Sequence, residues 1–286
     1  MQRVVRNLPK NCEIIAGSCT HIGSIMCHIG GIEYSVDYIA SKNNCYFIHL
    51  GDWIEAIMTD DKRYNAPPDG SKEKEQSIPV RQARDAVRIF KPIKKKIIVG
   101  LKGNHERKLQ RFGNLVEDNI CGKKEDGGLN IPYGTESCRI ILENNNKPMF
   151  NIFAMHGRKI FNSKAKDYEQ NLANRQASMK LTLVNQMGDC LVMLCGHAHQ
   201  ILIVPPAKKL YFTDDEKGVQ QRYLESAEGS GYINPDQRWY ACCGSARKSR
   251  LDGYDDYAQV YDPVELGFVK ITVEDGRPVN IEPFLI

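Results

Sequence analysis

Two side chains that can bind metal lie close together in the segment GSCTHIGS, residues 17–24. Cys19 stands two positions before His21, directly after the apolar run EIIA. A thiolate and an imidazole both bind transition metals, but a buried free thiol beside an ordinary histidine would have the same spacing. Ligands elsewhere in the chain must therefore decide whether this segment begins a metal site.

Four more segments carry side chains of this kind, each at the end of an apolar run. They are LGDWIE, GNHE, MHG and GHAH, and their polar residues are Asp52, Asn104, His105, His156, His197 and His199. With His21, these segments hold five of the seven histidines in the chain. Imidazole nitrogens combined with carboxylate and amide oxygens suit transition metals such as zinc, iron or manganese. The pattern favours a metal site over a chance distribution of histidines.

The number of candidate ligands indicates two ions rather than one. The seven ligands are Cys19, His21, Asp52, Asn104, His156, His197 and His199. They exceed the four that one tetrahedral ion takes. Two-metal hydrolases hold their ions roughly 3.5–4 Å apart, and a shared carboxylate can bridge such a pair. Asp52 is the only carboxylate directly at the end of one of these apolar runs, so it is the candidate bridging ligand.

Buried strands must position these side chains. Five apolar runs bounded by glycine are typical of strands covered on both faces, namely EIIAG (13–17), CYFIHLG (45–51), KIIVGLKG (96–103), MFNIFAMHG (149–157) and CLVMLCG (190–196). Helix-like segments lie between them at 31–43, 80–93 and 165–187. This alternation predicts an α/β fold with crossover connections, in which ligands bind outside the carboxyl ends of the strands.

The C-terminal third of the chain has a different character. From about residue 200 it has strand and hairpin patterns, with the turn sequence EDG at 274–276. No linker or repeat interrupts the chain, so we expect a single domain over residues 1–286, with the β-rich part at about 200–286 completing a second sheet. The stretches 58–79, 113–135 and 206–238 are expected to shape the mouth of the cleft.

Composition excludes several classes of protein. The 286 residues are 42% hydrophobic and 26% charged, as is usual for globular proteins. No apolar stretch approaches the roughly 20 residues that span a membrane, and no apolar secretion signal precedes the first strand, so we expect no membrane contact and a cytoplasmic location. The ten scattered cysteines favour buried thiols over a disulfide framework. The formal net charge of +4 is mildly basic, and KPIKKK (91–96) is interpreted as a solvated helix end.

The ordered motifs resemble those of a known family. The set CTH, GD, GNHE, H and GHAH is similar to the calcineurin-like metallophosphoesterases, whose usual pattern is D-x-H, G-D, G-N-H-E/D, H and G-H-x-H. The motifs span residues 19–199, about two thirds of the chain. The resemblance implies a four-layer αββα sandwich, in which two mixed β-sheets pack face to face and helices cover the outside.

The resemblance also implies a role for each motif residue. It implies that Cys19, His21 and His199 bind the first metal ion. It implies that Asn104, His156 and His197 bind the second, and that Asp52 bridges both. His105 is implied to be the catalytic histidine near the leaving-group oxygen. Glu106 is implied to orient a ligand or His105. Arg107 and Arg158 are candidates for binding the substrate phosphate, and surface ion pairs are an equally good interpretation of both.

The implied activity is hydrolysis of a phosphate ester with two divalent transition-metal ions as cofactors. Two such cations activate water as a nucleophile and neutralise phosphate oxygens. We expect a phosphodiesterase acting on nucleic acid or a nucleotide, because a histidine acid assists an alkoxide leaving group and the chain is mildly basic. Phosphomonoesterase or protein phosphatase activity is the alternative among enzymes, and a non-catalytic binding module on the same fold is the alternative outside them. The oligomeric state is open.

One motif departs from the family pattern. The first aspartate is replaced by Cys19, and a thiolate shifts preference toward zinc or iron(II) and away from manganese. The RNA lariat debranching enzymes of the same superfamily also have cysteine here, a similarity that covers only a few residues. The change could instead weaken the first metal site, but His21, Asp52 and His199 are intact, which favours retained activity.

Four other residues near the motifs have ordinary interpretations. Cys27 and His28 fall where a helix is expected to begin, so packing or capping is favoured over metal binding. His49 lies inside a predicted strand and is expected to be a buried histidine with satisfied hydrogen bonds. Glu55 is either an acid that supports a ligand or a solvent-facing loop residue.

Overall fold

The computed structural model describes residues 1–57, 78–110, 113–123, 125, 127–216, 218–223, 231–251 and 263–286. Residues 58–77 of the predicted loop at 58–79 lie outside this part of the chain. The strands are β1 (Gln2–Asn7), β2 (Cys12–Gly17), β3 (Cys45–His49), β4 (Ile97–Gly100), β5 (Ser137–Asn144), β6 (Lys147–Met155), β7 (Val192–Cys195), β8 (Ile201–Val204), β9 (Leu210–Asp215), β10 (Gly218–Tyr223), β11 (Trp239–Cys243), β12 (Gly267–Glu274) and β13 (Arg277–Leu285). The α-helices are α1 (Ile29–Ser41), α2 (Ile78–Phe90), α3 (Asn104–Lys108) and α4 (Tyr168–Leu183).

Eleven of these strands form two mixed sheets. The first sheet has the order β13-β12-β2-β3-β4, and the second has the order β1-β5-β6-β7-β11-β8. In the first sheet β2, β3 and β4 run parallel and β12 runs antiparallel to β2. In the second sheet β6, β7 and β11 run parallel. The carboxyl ends of the motif-bearing strands of each sheet therefore lie at one edge of that sheet. Strands β9 and β10 pair separately as a hairpin.

Three apolar cores hold the layers together. The middle core lies between the two sheets and contains Ile48 and Leu194. A second core packs Ile32 of α1 and Phe90 of α2 against the outer face of the first sheet. A third packs Met179 of α4 against the outer face of the second sheet. The protein is therefore a four-layer αββα sandwich, as the motif resemblance implies.

The five apolar runs form β2, β3, β4, β6 and β7, and their burial explains the sequence pattern. In β2, Ile14 belongs to the middle core and Ile15 to the core under the helices. Consecutive residues are buried on opposite faces of such a strand, so the run is continuously apolar rather than alternating. The predicted helices correspond to α1, α2 and α4.

Two strands and one turn were not predicted from the sequence. Strand β1 pairs in parallel with β5, and β5 forms a hairpin with β6. The hairpin turns at Asn145 and Asn146, whose φ angles are +50° and +61°. Positive φ at both central residues is the requirement of a type I′ turn, which asparagine tolerates. The sequence ENNNK therefore contained the signal for this hairpin.

Two expectations need correction. The C-terminal third contributes to both sheets, because β8 and β11 join the second while β12 and β13 join the first. The hairpin of β12 and β13 pairs with β2, where Ile271 lies opposite Ile14, so apolar residues on the same face meet in the middle core. The stretch 113–135 contains one π-helical turn, Val116–Ile120, because Val116 and Ile120 are buried against the first sheet and its helices.

The basic cluster KPIKKK forms a 3-10 helix, Lys91–Lys96, directly after α2. The Lys96 ammonium donates hydrogen bonds to the backbone oxygens of Ile39, at 2.7 Å, and Ala40, at 3.2 Å, near the carboxyl end of α1. Cations are favourable at that end of a helix. The basic cluster thus follows the end of α2, and its Lys96 caps the carboxyl end of α1. No helix in the described part of the chain is long and apolar enough to span a bilayer.

Candidate metal centre

The loops after β3 and β4 approach each other closely because both contain glycine. Gly51 follows β3 with φ = +95°, and a Cβ atom there would lie 2.6 Å from the backbone nitrogen of Gly103. A Cβ atom on Gly103 would lie 2.0 Å from Oδ1 of Asp52. Neither position has room for a side chain. These two glycines therefore allow the GD and GNHE motifs to meet.

One group of donors joins the loop after β2 with the GHAH loop after β7. Nε2 of His21 lies 3.1 Å from Nε2 of His199, and Sγ of Cys19 lies within 4.8 Å of the donor atoms of both histidines. Nδ1 of His21 lies 2.8 Å from Oε2 of Glu55. When Nδ1 donates to that carboxylate, the neutral ring keeps its lone pair on Nε2. Two imidazoles and one thiol thus face a common point.

A second group of donors surrounds the side-chain oxygen of Asn104, the first residue of α3. Oδ1 of Asn104 lies 2.9 Å from Nε2 of His156 and 2.6 Å from Nδ1 of His197. Nδ1 of His156 bonds to the backbone oxygen of Leu50 at 2.7 Å. This bond orients the ring so that Nε2 points toward Asn104.

Asp52 lies between the two groups. Its Oδ2 is 3.2 Å from Nε2 of His156 and 4.0 Å from Nε2 of His21, while Oδ1 accepts the backbone N–H of His105 at 2.9 Å. Cys19 is also near both donor groups, because its Sγ lies within 4.8 Å of donor atoms of Asp52 and His156. A place between the two groups was predicted from the sequence for Asp52 but not for Cys19.

Five of the seven donors have a left-handed backbone. The φ angles are +53° at Cys19, +47° at His21, +54° at Asp52, +68° at His197 and +54° at His199. Such conformations are uncommon outside glycine and cost on the order of 1–3 kcal/mol each. Strained residues of this kind cluster at functional sites, so the pattern points to function at this edge of the two sheets.

Two of the histidine donors are held in the neutral form that suits a divalent cation, whereas burial works to lower the pKa of His156 but the Asp52 charge raises it overall. Burial lowers the pKa of His197 to about 4 and holds the pKa of His199 well below its usual value. Neutral imidazole is the form that binds metal. Burial and the Asp52 charge raise the pKa of the Cys19 thiol, whose proton would leave when an ion binds. The residues present therefore fit two cations in donor type, in convergence and in strain.

His105 lies beside the first donor group. Its ring centroid is 4.6 Å from that of His21, and its Nδ1 bonds to the backbone oxygen of Glu55 at 2.5 Å. Burial and the proximity of His21 lower the pKa of His105. Glu55 itself is only 6% exposed, so the structure excludes a solvent-facing position for this residue. One residue thus orients His21 through its carboxylate and His105 through its main chain.

Glu106 is bound to the backbone on either side of Asp52. Its carboxylate accepts the N–H groups of Asp52 at 3.2 Å, Ile54 at 3.1 Å and Gly103 at 2.9 Å. These bonds tie the loop after β3 to the beginning of α3. Burial and the nearby Asp52 charge raise the pKa of Glu106 to about 7. Its contacts hold the Asp52 loop in place.

His49 is a buried core histidine, as expected. Its Nδ1 accepts the Gly51 N–H at 3.1 Å, which leaves Nε2 to donate to Oγ1 of Thr20 at 3.1 Å. Its ring stacks on Trp53 with centroids 3.6 Å apart. Burial and the charge of His156 hold the pKa of His49 well below its usual value.

Cys27 and His28 take the ordinary positions that were favoured for them. The Cys27 thiol donates to the backbone oxygen of Thr20 at 3.0 Å, and His28 is the residue directly before α1. Neither belongs to the donor groups formed by the residues that the structure describes.

A groove of about 490 Å³ opens beside the second donor group. Asn104 and His156 form one end of it, and its cationic lining consists of Lys102, Arg107, Arg158 and Lys159. The two arginines singled out in the sequence thus lie beside the candidate metal ligands. Both form ion pairs with Glu136, and their binding of a substrate phosphate stays a prediction.

Three charged residues of the groove were not predicted from the sequence, namely Lys102, Glu136 and Lys159. Lys102 directly precedes the GNHE motif, and Lys159 directly follows Arg158. The segments LKGNHE and MHGRK place a cation next to each motif, and this repetition was the available signal. Nothing in the sequence places Glu136 near them, because its position depends on the β5–β6 hairpin.

Comparison with known proteins yields matches to solved structures alone. No family model and no curated protein matches the sequence. The chain is similar to Vps29 from Entamoeba histolytica complexed with Zn²⁺, with 11% identity and a TM-score of 0.37 over 96% of this chain and 98% of that chain. It is similar to the nuclease MPE from Pseudomonas putida, with 12% identity and a TM-score of 0.34 over 95% of this chain and 87% of that chain. It is also similar to a dimetal phosphatase from Danio rerio, with 9% identity and a TM-score of 0.41 over 96% of this chain and 98% of that chain.

The fold and the donor geometry agree with the class that the motif resemblance implies. An αββα sandwich carries the ordered motifs at neighbouring strand ends, and their side chains converge on one place. The chain thus has the four-layer architecture that the motif resemblance implies.

Proposed function

We propose that the protein is a phosphoester hydrolase that uses two divalent transition-metal ions. The observation that carries this proposal is the convergence of two donor groups on a central carboxylate. The first group is Cys19, His21 and His199, the second is Asn104, His156 and His197, and Asp52 lies between them. The Asp52 carboxylate is buried beside four buried or half-buried imidazoles, and three of these four histidines have a left-handed backbone, as is typical of functional sites.

Each group has a part in the proposed reaction. When bound, two divalent cations supply an activated water nucleophile and neutralise charge on the phosphate oxygens. The seven donors would hold these ions, and Asp52 lies between the two donor groups. Glu55 orients the His21 ring, and Glu106 holds the backbone of Asp52, so that the donor atoms keep their positions. Loss of such a supporting contact typically lowers metal affinity about 10- to 100-fold.

His105 is the proposed general acid for the leaving group. Its Nδ1 is held by the Glu55 backbone oxygen, which directs the opposite ring nitrogen away from that carbonyl. Burial lowers its pKa, which works against the protonated form, so this role rests on its position beside His21 and Asp52 and on the motif resemblance. A positioned acid accelerates such reactions by about 10²- to 10⁴-fold.

The substrate class favoured by the groove is a phosphodiester of a nucleic acid or nucleotide. The groove is continuous with the second donor group and carries four cationic side chains. Guanidinium groups bind phosphate oxygens in a bidentate manner. Phosphomonoesterase or protein phosphatase activity is the alternative within the same chemistry, and a binding module without catalysis is the alternative outside it.

Metal analysis and two aryl phosphates test the proposal. Protein purified without chelators should contain two transition-metal ions per chain and hydrolyse bis(4-nitrophenyl) phosphate faster than 4-nitrophenyl phosphate. Asp52→Asn should remove activity and lower the metal content, whereas the exposed-site variant Asp37→Asn should change neither. Fewer than one ion per chain, with no activity after zinc, iron(II) or manganese is added, would favour the non-catalytic alternative. Equal or faster turnover of the monoester would remove the diesterase preference.

The identity of the ions and the cellular location are also proposals. Cys19 favours zinc or iron over manganese at the first site, because a thiolate is a softer ligand than the family aspartate. A cytoplasmic location is supported by ten cysteines that are all free thiols, since disulfides are rare in that compartment. Metal content of the native protein and immunolocalisation would test these two points.

A further inference from the structure

The groove beside the second donor group has more positive charge than its own residues neutralise. Among the described residues that line the groove, four cations, Lys102, Arg107, Arg158 and Lys159, stand against one carboxylate, Glu136, a formal excess of three positive charges. Arg107 and Arg158 approach the same oxygen of Glu136, at 3.5 and 3.1 Å. One carboxylate oxygen cannot satisfy two guanidinium groups with five N–H donors each.

Lys102 contributes the least accessible of these charges. This residue is 8% exposed, and within the described chain no carboxylate lies within 4 Å of its ammonium. A cation with so little exposure, and with no carboxylate at ion-pair distance among the described residues, favours an anion in the open groove that it lines. Lys159 lies at the exposed rim of the same groove.

Glu136 connects the groove to the candidate metal centre. Its backbone oxygen accepts the N–H of His156 at 3.1 Å, and its carboxylate pairs with both arginines. Partial burial works to raise the pKa of Glu136, but the hydrogen bond from Arg158 and the two arginine charges lower it overall. The carboxylate therefore stays charged at neutral pH, and it holds both guanidinium groups at a defined place relative to His156.

Other residues that line the groove have a different chemistry. Phe153 and Met155 of β6 are apolar, and Thr182 and Gln186 carry a hydroxyl and an amide group. An apolar surface next to amide and hydroxyl groups suits a sugar and a base rather than a further charge. A volume of about 490 Å³ is also within the range of pockets that hold small ligands, roughly 300–1,000 Å³.

We infer that the substrate carries a second phosphate group, which binds between Arg107 and Arg158 while the scissile phosphate lies at the metal centre. This inference rests on the proposed hydrolase function and specifies its substrate. The second phosphate has two chemical sources, namely the next linkage of a polynucleotide strand or the other half of a nucleoside pyrophosphate. Glu136 acts as a positioning residue, because it touches the two arginines and not the phosphate.

Three thymidine substrates separate these sources. TpT has one phosphate, TpTpT has two phosphates in successive linkages, and the dinucleoside pyrophosphate TppT has two that are directly joined. We expect wild-type kcat/KM to be at least 10-fold higher for a two-phosphate substrate than for TpT. Preference for TpTpT assigns the groove to a polynucleotide, and preference for TppT assigns it to a pyrophosphate.

Variants of the arginines should remove the preference selectively. Arg107→Ala and Arg158→Ala should lower kcat/KM about 10-fold more for the preferred two-phosphate substrate than for TpT, with the additional loss in KM, and Arg158→Lys should restore part of it. The matched control is Lys147→Ala, which removes an exposed cation at the other end of β6. Equal losses on TpT and on the two-phosphate substrates would overturn the second site and leave the proposed hydrolase intact.

A binding measurement separates failure of the groove from failure of the hydrolase. Binding is measured by the fluorescence anisotropy of two labelled probes, an oligothymidylate of ten nucleotides and TppT. The protein contains metal and carries His105→Ala. The double variant Arg107→Ala, Arg158→Ala should weaken binding of one probe at least 10-fold and reduce its salt dependence. If the double variant binds a probe more weakly but the wild type hydrolyses no substrate, the second phosphate site is supported and the hydrolase function is overturned. Unchanged binding of both probes would overturn the groove.

Discussion

The Glu55 carboxylate lies 2.8 Å from Nδ1 of His21, and both side chains are buried. The same residue bonds to His105 through its backbone oxygen. A candidate metal ligand and a candidate general acid are therefore oriented by one residue that is not a member of any motif. This arrangement leads to the first of four predictions.

Replacing Glu55 should weaken metal binding without unfolding the protein. Glu55→Ala removes the acceptor for His21 Nδ1, and loss of such a supporting contact lowers metal affinity about 10- to 100-fold. Glu55→Gln retains an acceptor oxygen and should lose less. Competition with a fluorescent chelator measures the affinity, and the exposed-site variant Glu33→Ala is the control. Equal affinity of Glu55→Ala and wild type would show that His21 needs no such support.

Exchanging the unusual ligand should change the preferred metal. Cys19→Asp restores an oxygen donor, and aspartate tolerates the left-handed φ of +53° at this position better than most residues do. We expect the variant to stay active and its ratio of manganese- to zinc-supported activity to rise about 10-fold, because a carboxylate is a harder ligand than a thiolate. Cys19→Ala should lower the metal content. An unchanged metal profile in Cys19→Asp would mean that the thiol does not bind an ion.

Removal of the candidate acid should affect turnover and not metal content. His105→Ala should lower kcat about 10²- to 10⁴-fold on TpT, whose alkoxide leaving group needs a proton. The loss should be smaller on bis(4-nitrophenyl) phosphate, because 4-nitrophenolate leaves readily without one. The comparison variant His28→Ala, directly before α1, should retain full activity. Equal losses on both substrates would exclude proton donation as the role of His105.

Unfolding measurements should reveal the buried, neutral His49. Its pKa is held well below the usual value, so the unfolded chain binds a proton near pH 6.5 while the folded protein does not. Stability contributed by this residue is therefore lost as pH falls from about 6.5 toward the folded-state pKa, with a slope of up to about 1.4 kcal/mol per pH unit.

His49→Gln should isolate that contribution. Glutamine has no proton to gain in this range, so the difference in unfolding free energy between wild type and variant should shrink as the pH is lowered from 7.0 to 5.5. Urea denaturation at both values measures the difference. A constant difference would mean that His49 titrates alike in the folded and unfolded chain.

The motifs and the strands that carry them could be predicted from the sequence, because both are local. Continuous apolar runs such as EIIAG indicate strands buried on two faces, and Ile14 and Ile15 are indeed buried on opposite faces of β2. Parallel strands in one sheet bring their carboxyl ends to one edge, so the meeting of the motifs that follow β2, β3 and β4 could be expected from their order. The motifs after β6 and β7 meet them only because the second sheet packs on the first.

Contacts between distant segments could not be predicted in this way. Glu136 pairs with Arg107 and Arg158 because the β5–β6 hairpin returns the chain to the second sheet. The hairpin of β12 and β13 joins the first sheet because its apolar face completes the middle core beside β2. Pairing partners of this kind depend on burial across the whole molecule rather than on local pattern.

The sequence alone determined the donor types, their order along the chain and their place at strand ends. Tertiary structure decided the position of Glu55, which apolar surroundings bury against His21. It also decided that Cys19 lies near both donor groups, and that a cationic groove begins at His156. The physical reason is that composition and periodicity report local preferences, whereas burial, charge proximity and backbone strain arise only when remote segments pack together.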